Sequence, residues 1–120
     1  MKKILIIEDE QDILKVVKYR LIKMGYEVIA TVNGEEGLSL AKEIKPDLIL
    51  TDLSLPVIDG DEICKQLKMD PTTKHIPIIL MTASTRGVME ENIRIMGADD
   101  RILKPFEPED LLGKVTKFIG

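Results

Sequence analysis

The sequence predicts an α/β fold in which a doubly wound parallel sheet of five strands alternates with five helices. Two observations predict it. Five short apolar runs recur along the chain, and each is followed by a stretch whose apolar residues repeat with helical period. Strands that alternate with helices in this way build βαβ units with right-handed crossovers.

The first run, Ile4–Ile7, is wholly apolar. So, nearly, are the third, Leu48–Thr51, and the fourth, Ile78–Met81. Strands covered by helices on both faces have this composition, so these three are expected at the centre of the sheet. The second run, Glu27–Ala30, and the fifth, Arg101–Leu103, are mixed, as edge strands are. Between the first two runs, Ile13, Val16, Val17, Leu21 and Met24 predict the inner face of a first helix, closed by Gly25. Leu38, Ala41 and Ile44 mark a second helix, stopped before Pro46. Ile63, Cys64 and Leu67 mark a third. Val88, Met89, Asn92, Ile93 and Met96 mark a fourth, ended by Gly97, and Leu111, Leu112, Val115, Phe118 and Ile119 a fifth.

The 120 residues suit one domain, taken as residues 1–120, with enough chain to bury a core without staples. Aromatics are 3% of the chain, so the core is expected to be aliphatic and no stacking platform for single-stranded nucleic acid is expected. The formal net charge is −4 and Lys and Arg form no stripe, which argues against direct nucleic-acid binding. Cys64 is the single cysteine, so no internal disulfide forms and core packing is its expected role. The apolar run after Met1-Lys2-Lys3 is cut by Glu8, too short for a signal peptide, and no segment approaches a membrane span. A cytoplasmic location is expected. His75, without a second His or Cys nearby, reads as a surface residue, and the methionines, Met81, Met89 and Met96 among them, as core filler.

Ligands of an open parallel sheet bind beyond the carboxyl ends of its strands. At those ends stand Glu8, Asp9 and Glu10, then Asp52, Thr82 and Lys104. Any one of them alone would read as a solvated loop residue; four strand ends carrying the useful types do not. Carboxylates that share an edge need a cation or a proton. Two or three hard oxygens with room for water suit Mg2+. A carboxylate, Mg2+ and a lysine are the equipment of phosphoryl transfer. Competing chemistries lack their residues. A flavin-type phosphate loop would be repelled by Glu8-Asp9-Glu10. A phosphohydrolase of the D-x-D type needs a second acid where Ser54 stands, and Gly34-Glu35-Glu36-Gly37 is not followed by Lys-Ser/Thr as in a P-loop.

Taken together, Ile6-Ile7-Glu8-Asp9-Glu10, Asp47 through Pro56, Asp59-Gly60, Met81-Thr82-Ala83 and Lys104-Pro105-Phe106 resemble, along the whole chain, the receiver domains of two-component response regulators, those of the chemotaxis-regulator type included. The resemblance implies a flavodoxin-like sheet of order 2-1-3-4-5. It implies Asp52 as phosphoacceptor, Mg2+ held by Asp9 directly, by Glu8 through water, by Asp52 and by the backbone carbonyl of Ser54. It implies Thr82 and Lys104 as contacts of the phosphoryl group, and a cis Lys104–Pro105 bond. A sensor histidine kinase or phosphotransfer protein would be the donor, and a downstream protein or fused output domain the target. Such a domain catalyses only its own phosphorylation and dephosphorylation. A monomer is implied, with a dimer on phosphorylation the alternative. Pro56 and Gly60 are turn formers that would shape the loop beside Asp52. One departure is Arg101, three before the lysine, where many receivers carry an aromatic switch. A solvent-facing arginine is the expected reading, with switching through Thr82.

Overall fold

A computed structural model describes residues 1–83 and 97–120. The apolar runs form β1 (Lys3–Ile7), β2 (Glu27–Thr31), β3 (Leu48–Asp52), β4 (Ile78–Thr82) and β5 (Asp100–Leu103). All neighbours pair in parallel, in the order β2-β1-β3-β4-β5. The three apolar runs occupy the inner positions and the two mixed runs the edges, as their composition predicts. Among the described residues four helices cover the sheet: α1 (Gln11–Lys23), α2 (Gly34–Ile44), α3 (Gly60–Met69) and α4 (Pro108–Ile119). The last is the fifth helix of the sequence reading. The predicted fourth, with Met89 and Met96, lies outside the described residues.

Alternation along the strands divides the core in two. Leu5, Ile7, Ile49, Ile78 and Leu80 face α2 and α3 with Ala41, Ile63, Cys64 and Leu67. Ile4, Ile6, Leu48, Leu50, Ile79 and Met81 face α1 and α4 with Val17, Leu21, Leu111 and Val115. Each fully buried aliphatic side chain contributes about 1.5–3 kcal/mol. Cys64 belongs to the first cluster, and burial pushes its thiol up to about 12, which makes it a packing residue. His75 is exposed.

The register of α1 differs from the apolar stripe. Val17 and Leu21 are buried and Leu14 packs beside them, whereas Val16 and Met24 are 49% and 41% exposed. Val16 opens instead onto an apolar groove shared with Ile13, Phe106 and Pro108. Gly25 ends α1 at φ +96, and Asn33 caps α2 by accepting from the backbone N–H groups of Glu35 and Glu36 at 2.8 and 3.1 Å. Among the described residues no helix is long and apolar enough to cross a membrane.

Candidate functional site

Strand register brings the polar ends together. Ile7 pairs with Thr51, so Glu8 lies level with Asp52 across β1 and β3. Thr82 ends β4 opposite Leu103, which places Lys104 next in line, and the Lys104 N–H donates to the Thr82 carbonyl at 2.7 Å. Asp52 is 5% exposed, Thr82 2% and Glu8 fully buried. The Lys104–Pro105 bond is cis.

Lys104 is the centre of the cluster. Its Nζ lies 2.6 Å from Glu8 Oε1, 3.2 Å from Asp52 Oδ2 and 3.5 Å from Glu10 Oε1. The Glu8 contact is a short, buried, charge-assisted pair, so the near partner of this oxygen is the Lys104 ammonium. The other Glu8 oxygen accepts from the Glu10 N–H at 3.1 Å. Burial pushes the Glu8 carboxyl up to about 7, against the pull of Lys104 and of the Glu10 N–H. Burial also works against the Lys104 charge, but the Glu8 and Asp52 carboxylates outweigh it and hold the ammonium above its ordinary value.

Asp9 is exposed, and its carboxylate is not among those that converge. Glu8, Glu10 and Asp52 each bring one oxygen to within 4.8 Å of the others. In the sequence Glu10 stands at this strand end with no role expected of it. The signal was its spacing, since residues two apart in extended chain share a side, and Glu10 is extended at φ −82, ψ 106. Ser54 is exposed two residues beyond Asp52. Arg101 is half-buried on the edge strand β5; the neighbouring Asp100 carboxylate is taken by Lys114 at 3.0 Å. Of the loop after Thr82, Ser84, Thr85 and Gly87 lie outside the described residues.

The loop between Asp52 and α3 is tightly tied. The Gly60 N–H donates to the Leu53 carbonyl at 2.8 Å, and the Ile58 N–H to the Pro56 carbonyl at 2.8 Å. That second bond closes a γ-turn around Val57, which sits at φ +71 and is 87% exposed. A β-branched residue in the left-handed region costs on the order of 1–3 kcal/mol. Val57→Gly is therefore expected to raise stability by about 1 kcal/mol after glycine's own entropy cost. Urea unfolding checks it, and a fall in the midpoint would show that the turn is unstrained.

A family model for the response regulator receiver domain matches residues 4–116. The chain belongs to that family. Among its relatives, the receiver is 40% identical over 118 residues to the alkaline phosphatase synthesis transcriptional regulatory protein PhoP of Bacillus subtilis (strain 168), covering 98% of this chain and 48% of PhoP. The receiver spans about half the length of the first curated relatives it matches. Its fold superposes on the chemotaxis response regulator CheY4 of Vibrio cholerae with a TM-score of 0.90 and 32% identity, covering 98% of both chains. It also superposes on the receiver domain of sensor histidine kinase PA1611 from Pseudomonas aeruginosa PAO1, solved with a magnesium ion coordinated in the active site cleft, with a TM-score of 0.89 and 29% identity over 99% of this chain and 98% of that one.

Proposed function

We propose that this receiver, as a single domain over residues 1–120, is a phosphorylation switch with Asp52 as acceptor, Mg2+ as helper ion, and a histidine kinase or phosphotransfer protein as donor. The observation that carries the reading is the Lys104 ammonium held between Asp52 and Glu8 at the carboxyl edge of the sheet. Two carboxylates buried at one edge repel each other, and this counter-charge offsets that repulsion.

The residues fit a small hard cation. All converging ligand atoms are carboxylate oxygens, from Glu8, Glu10 and Asp52, and the single Lys104 ammonium among them leaves their negative charge in excess. Glu8 and Asp52 would hold Mg2+ with Glu10 a further carboxylate at the rim, and Asp9 and the Ser54 carbonyl would complete the set once the Asp9 carboxylate turns in from its exposed position. When bound, the ion neutralises charge between the acceptor and the incoming phosphoryl group.

The chain's own residues do the rest. An Asp52 oxygen attacks phosphorus, the bond from phosphorus to the donor imidazole nitrogen breaks with its electrons staying on nitrogen, and an acyl phosphate forms. Lys104, already 3.2 Å from Asp52 Oδ2, pairs with the new phosphoryl oxygens. Thr82, whose backbone is bonded to Lys104, supplies a hydroxyl at the same edge and carries the conformational response. Water later attacks phosphorus, releasing inorganic phosphate and restoring the carboxylate. The half-length coverage of PhoP supports a fused output domain as the target, and the full-length coverage of CheY4 a separate protein. Self-phosphorylation and self-dephosphorylation are the only reactions in this reading, in the cytoplasm and as a monomer before phosphorylation.

Intact mass after incubation with Mg2+ and a small phosphodonor tests the proposal. One added phosphoryl group is expected, and an undiminished rate in excess chelator would remove the metal from it. The cation affinity should also depend on pH. The folded pKa of Glu8 is raised from 4.5 to about 7 by burial, so the fold favours its neutral form. That contribution to stability is complete below 4.5 and is lost as pH rises through about 7. A neutral carboxyl is a poor ligand, so Mg2+ should bind severalfold more weakly at pH 6 than at pH 8. Titration followed by NMR shifts measures this, and equal affinities at the two values would contradict it.

A further inference from the structure

Two glycines lie against the loop that follows Asp52. One, Gly60, opens α3 directly after the loop. The other, Gly34, is the first residue of α2, more than twenty positions earlier in sequence, and nothing in its own helix requires a glycine. Gly34 does not occupy the left-handed region, and alanine is the better helix former, so helix propensity alone would favour Ala. What Gly34 provides is space. A Cβ built there would lie 2.6 Å from Ile58 Cγ2 and 2.8 Å from the Ile58 carbonyl oxygen, where ordinary contact begins at 3.4 Å.

Ile58 is the outer fixing point of the loop. Its N–H closes the γ-turn around Val57, a turn held at φ +71 with the valine exposed. The inner fixing points are Leu55, 7% exposed, and the Gly60 N–H on the Leu53 carbonyl. A strained turn persists only where its surroundings over-determine it. Here the surroundings are the inner core and the bare first turn of α2. Because one of the two atoms closer than 3 Å to that Cβ is backbone, a side chain at that position cannot be absorbed by a rotamer change of Ile58 alone. Either the loop or the first turn of α2 has to retreat, and both separate Ile58 from its seat.

We infer that Gly34 is a positioning residue for the acceptor loop: its missing side chain lets Ile58 seat residues Leu53–Gly60 so that Asp52 and Ser54 stay in register with Glu8. The inference rests on the phosphoryl-acceptor reading of Asp52. Displacement of the loop by a fraction of an ångström matters there because transfer depends on alignment, and misplacement by about 1 Å costs up to roughly 10²-fold.

Four variants test it by phosphorylation rate with Mg2+ and a small phosphodonor, by Mg2+ affinity, and by metal-free amide exchange at Ile58 and Gly60. Gly34→Ala should slow phosphorylation about tenfold, weaken Mg2+ binding by a similar factor, and speed exchange of both amides. Ile58→Ala should act in the same direction, about threefold, because it empties the seat, whereas Ile58→Val keeps Cγ2 and should match wild type. Val115→Ala, buried on the opposite face of the sheet, supplies a destabilised control whose rate and exchange at Ile58 and Gly60 should not change. Should Gly34→Ala fail to fold, the Ile58 pair decides by itself. If wild type phosphorylates normally and Gly34→Ala or Ile58→Ala does so equally fast, the inference is overturned. It is also overturned if Val115→Ala slows as much. If wild type gains no phosphoryl group at all, the acceptor reading itself fails.

Discussion

Asp52→Asn should abolish the mass gain that the native chain shows with Mg2+ and a small phosphodonor. The amide is nearly isosteric with the carboxylate but is not a nucleophile of this kind, so the acyl phosphate cannot form. The fold should survive the change. Asp52 raises the cost of ionising its buried neighbour Glu8, and its loss relieves that repulsion. Lys104 keeps its 2.6 Å partner in Glu8, so no buried ammonium is stranded. Loss of the modification therefore reports chemistry and not unfolding, and unchanged thermal unfolding confirms that distinction. The native adduct should be labile to base and to hydroxylamine, as acyl phosphates are. A phosphorylated peptide that excludes Asp52 would overturn the assignment, and phosphorylation of the Asn variant at the native rate would do the same.

Gly60→Ala should produce the largest loss of stability among conservative substitutions near the site. An added Cβ would stand 2.4 Å from the Asp52 carbonyl oxygen, 2.9 Å from Leu53 Cα and 3.2 Å from the Asp52 carbonyl carbon. All three are backbone atoms, and Asp52 ends a strand buried along its whole length. No rotamer change relieves the contact; either α3 or the end of β3 must move. Overpacking of a close-packed interior typically costs about 1–3 kcal/mol and sometimes more, and the rigidity of both partners puts this case at about 3 kcal/mol or above. That is a large share of the roughly 5–15 kcal/mol that holds a domain folded. Gly113 in α4 offers the contrast. Nothing lies within 4 Å of a Cβ built there, so Gly113→Ala should gain about 0.5–1 kcal/mol from helix propensity alone. Urea unfolding of both variants reads the difference directly. A Gly60→Ala protein within about 0.5 kcal/mol of native would mean that α3 does not rest on the acceptor's carbonyl.

Much of this molecule is legible in its sequence because the relevant signals are local. Almost wholly apolar runs named β1, β3 and β4 as the buried strands, and mixed runs named β2 and β5 as edges, since a strand's composition records how many of its faces are covered. Each strand proved one residue longer than its apolar run, by Lys3, Thr31, Asp52, Thr82 or Asp100. These are polar residues whose backbone continues the ladder although their side chains end the hydrophobic pattern. The polar types at the strand ends likewise followed from order along the chain.

Three features were decided by tertiary structure. The inner face of α1 runs through Leu14, Val17 and Leu21, and Val16 and Met24 turn outward, because a helix's rotation about its axis is set by what it packs on and several apolar stripes satisfied the same period. The carboxylates that converge are Glu8, Glu10 and Asp52, with Asp9 exposed; three successive acids are equivalent by composition, and only the path of the chain beyond β1 sorts them by direction. The seats of Gly34 against Ile58 and of Gly60 against the Asp52 carbonyl leave no trace in hydropathy. A glycine that permits close approach is written like one that permits a turn, and the difference exists only once distant segments meet. Periodicity thus determined which elements form and which strands lie inside, while distances between those elements determined which side chains make the site.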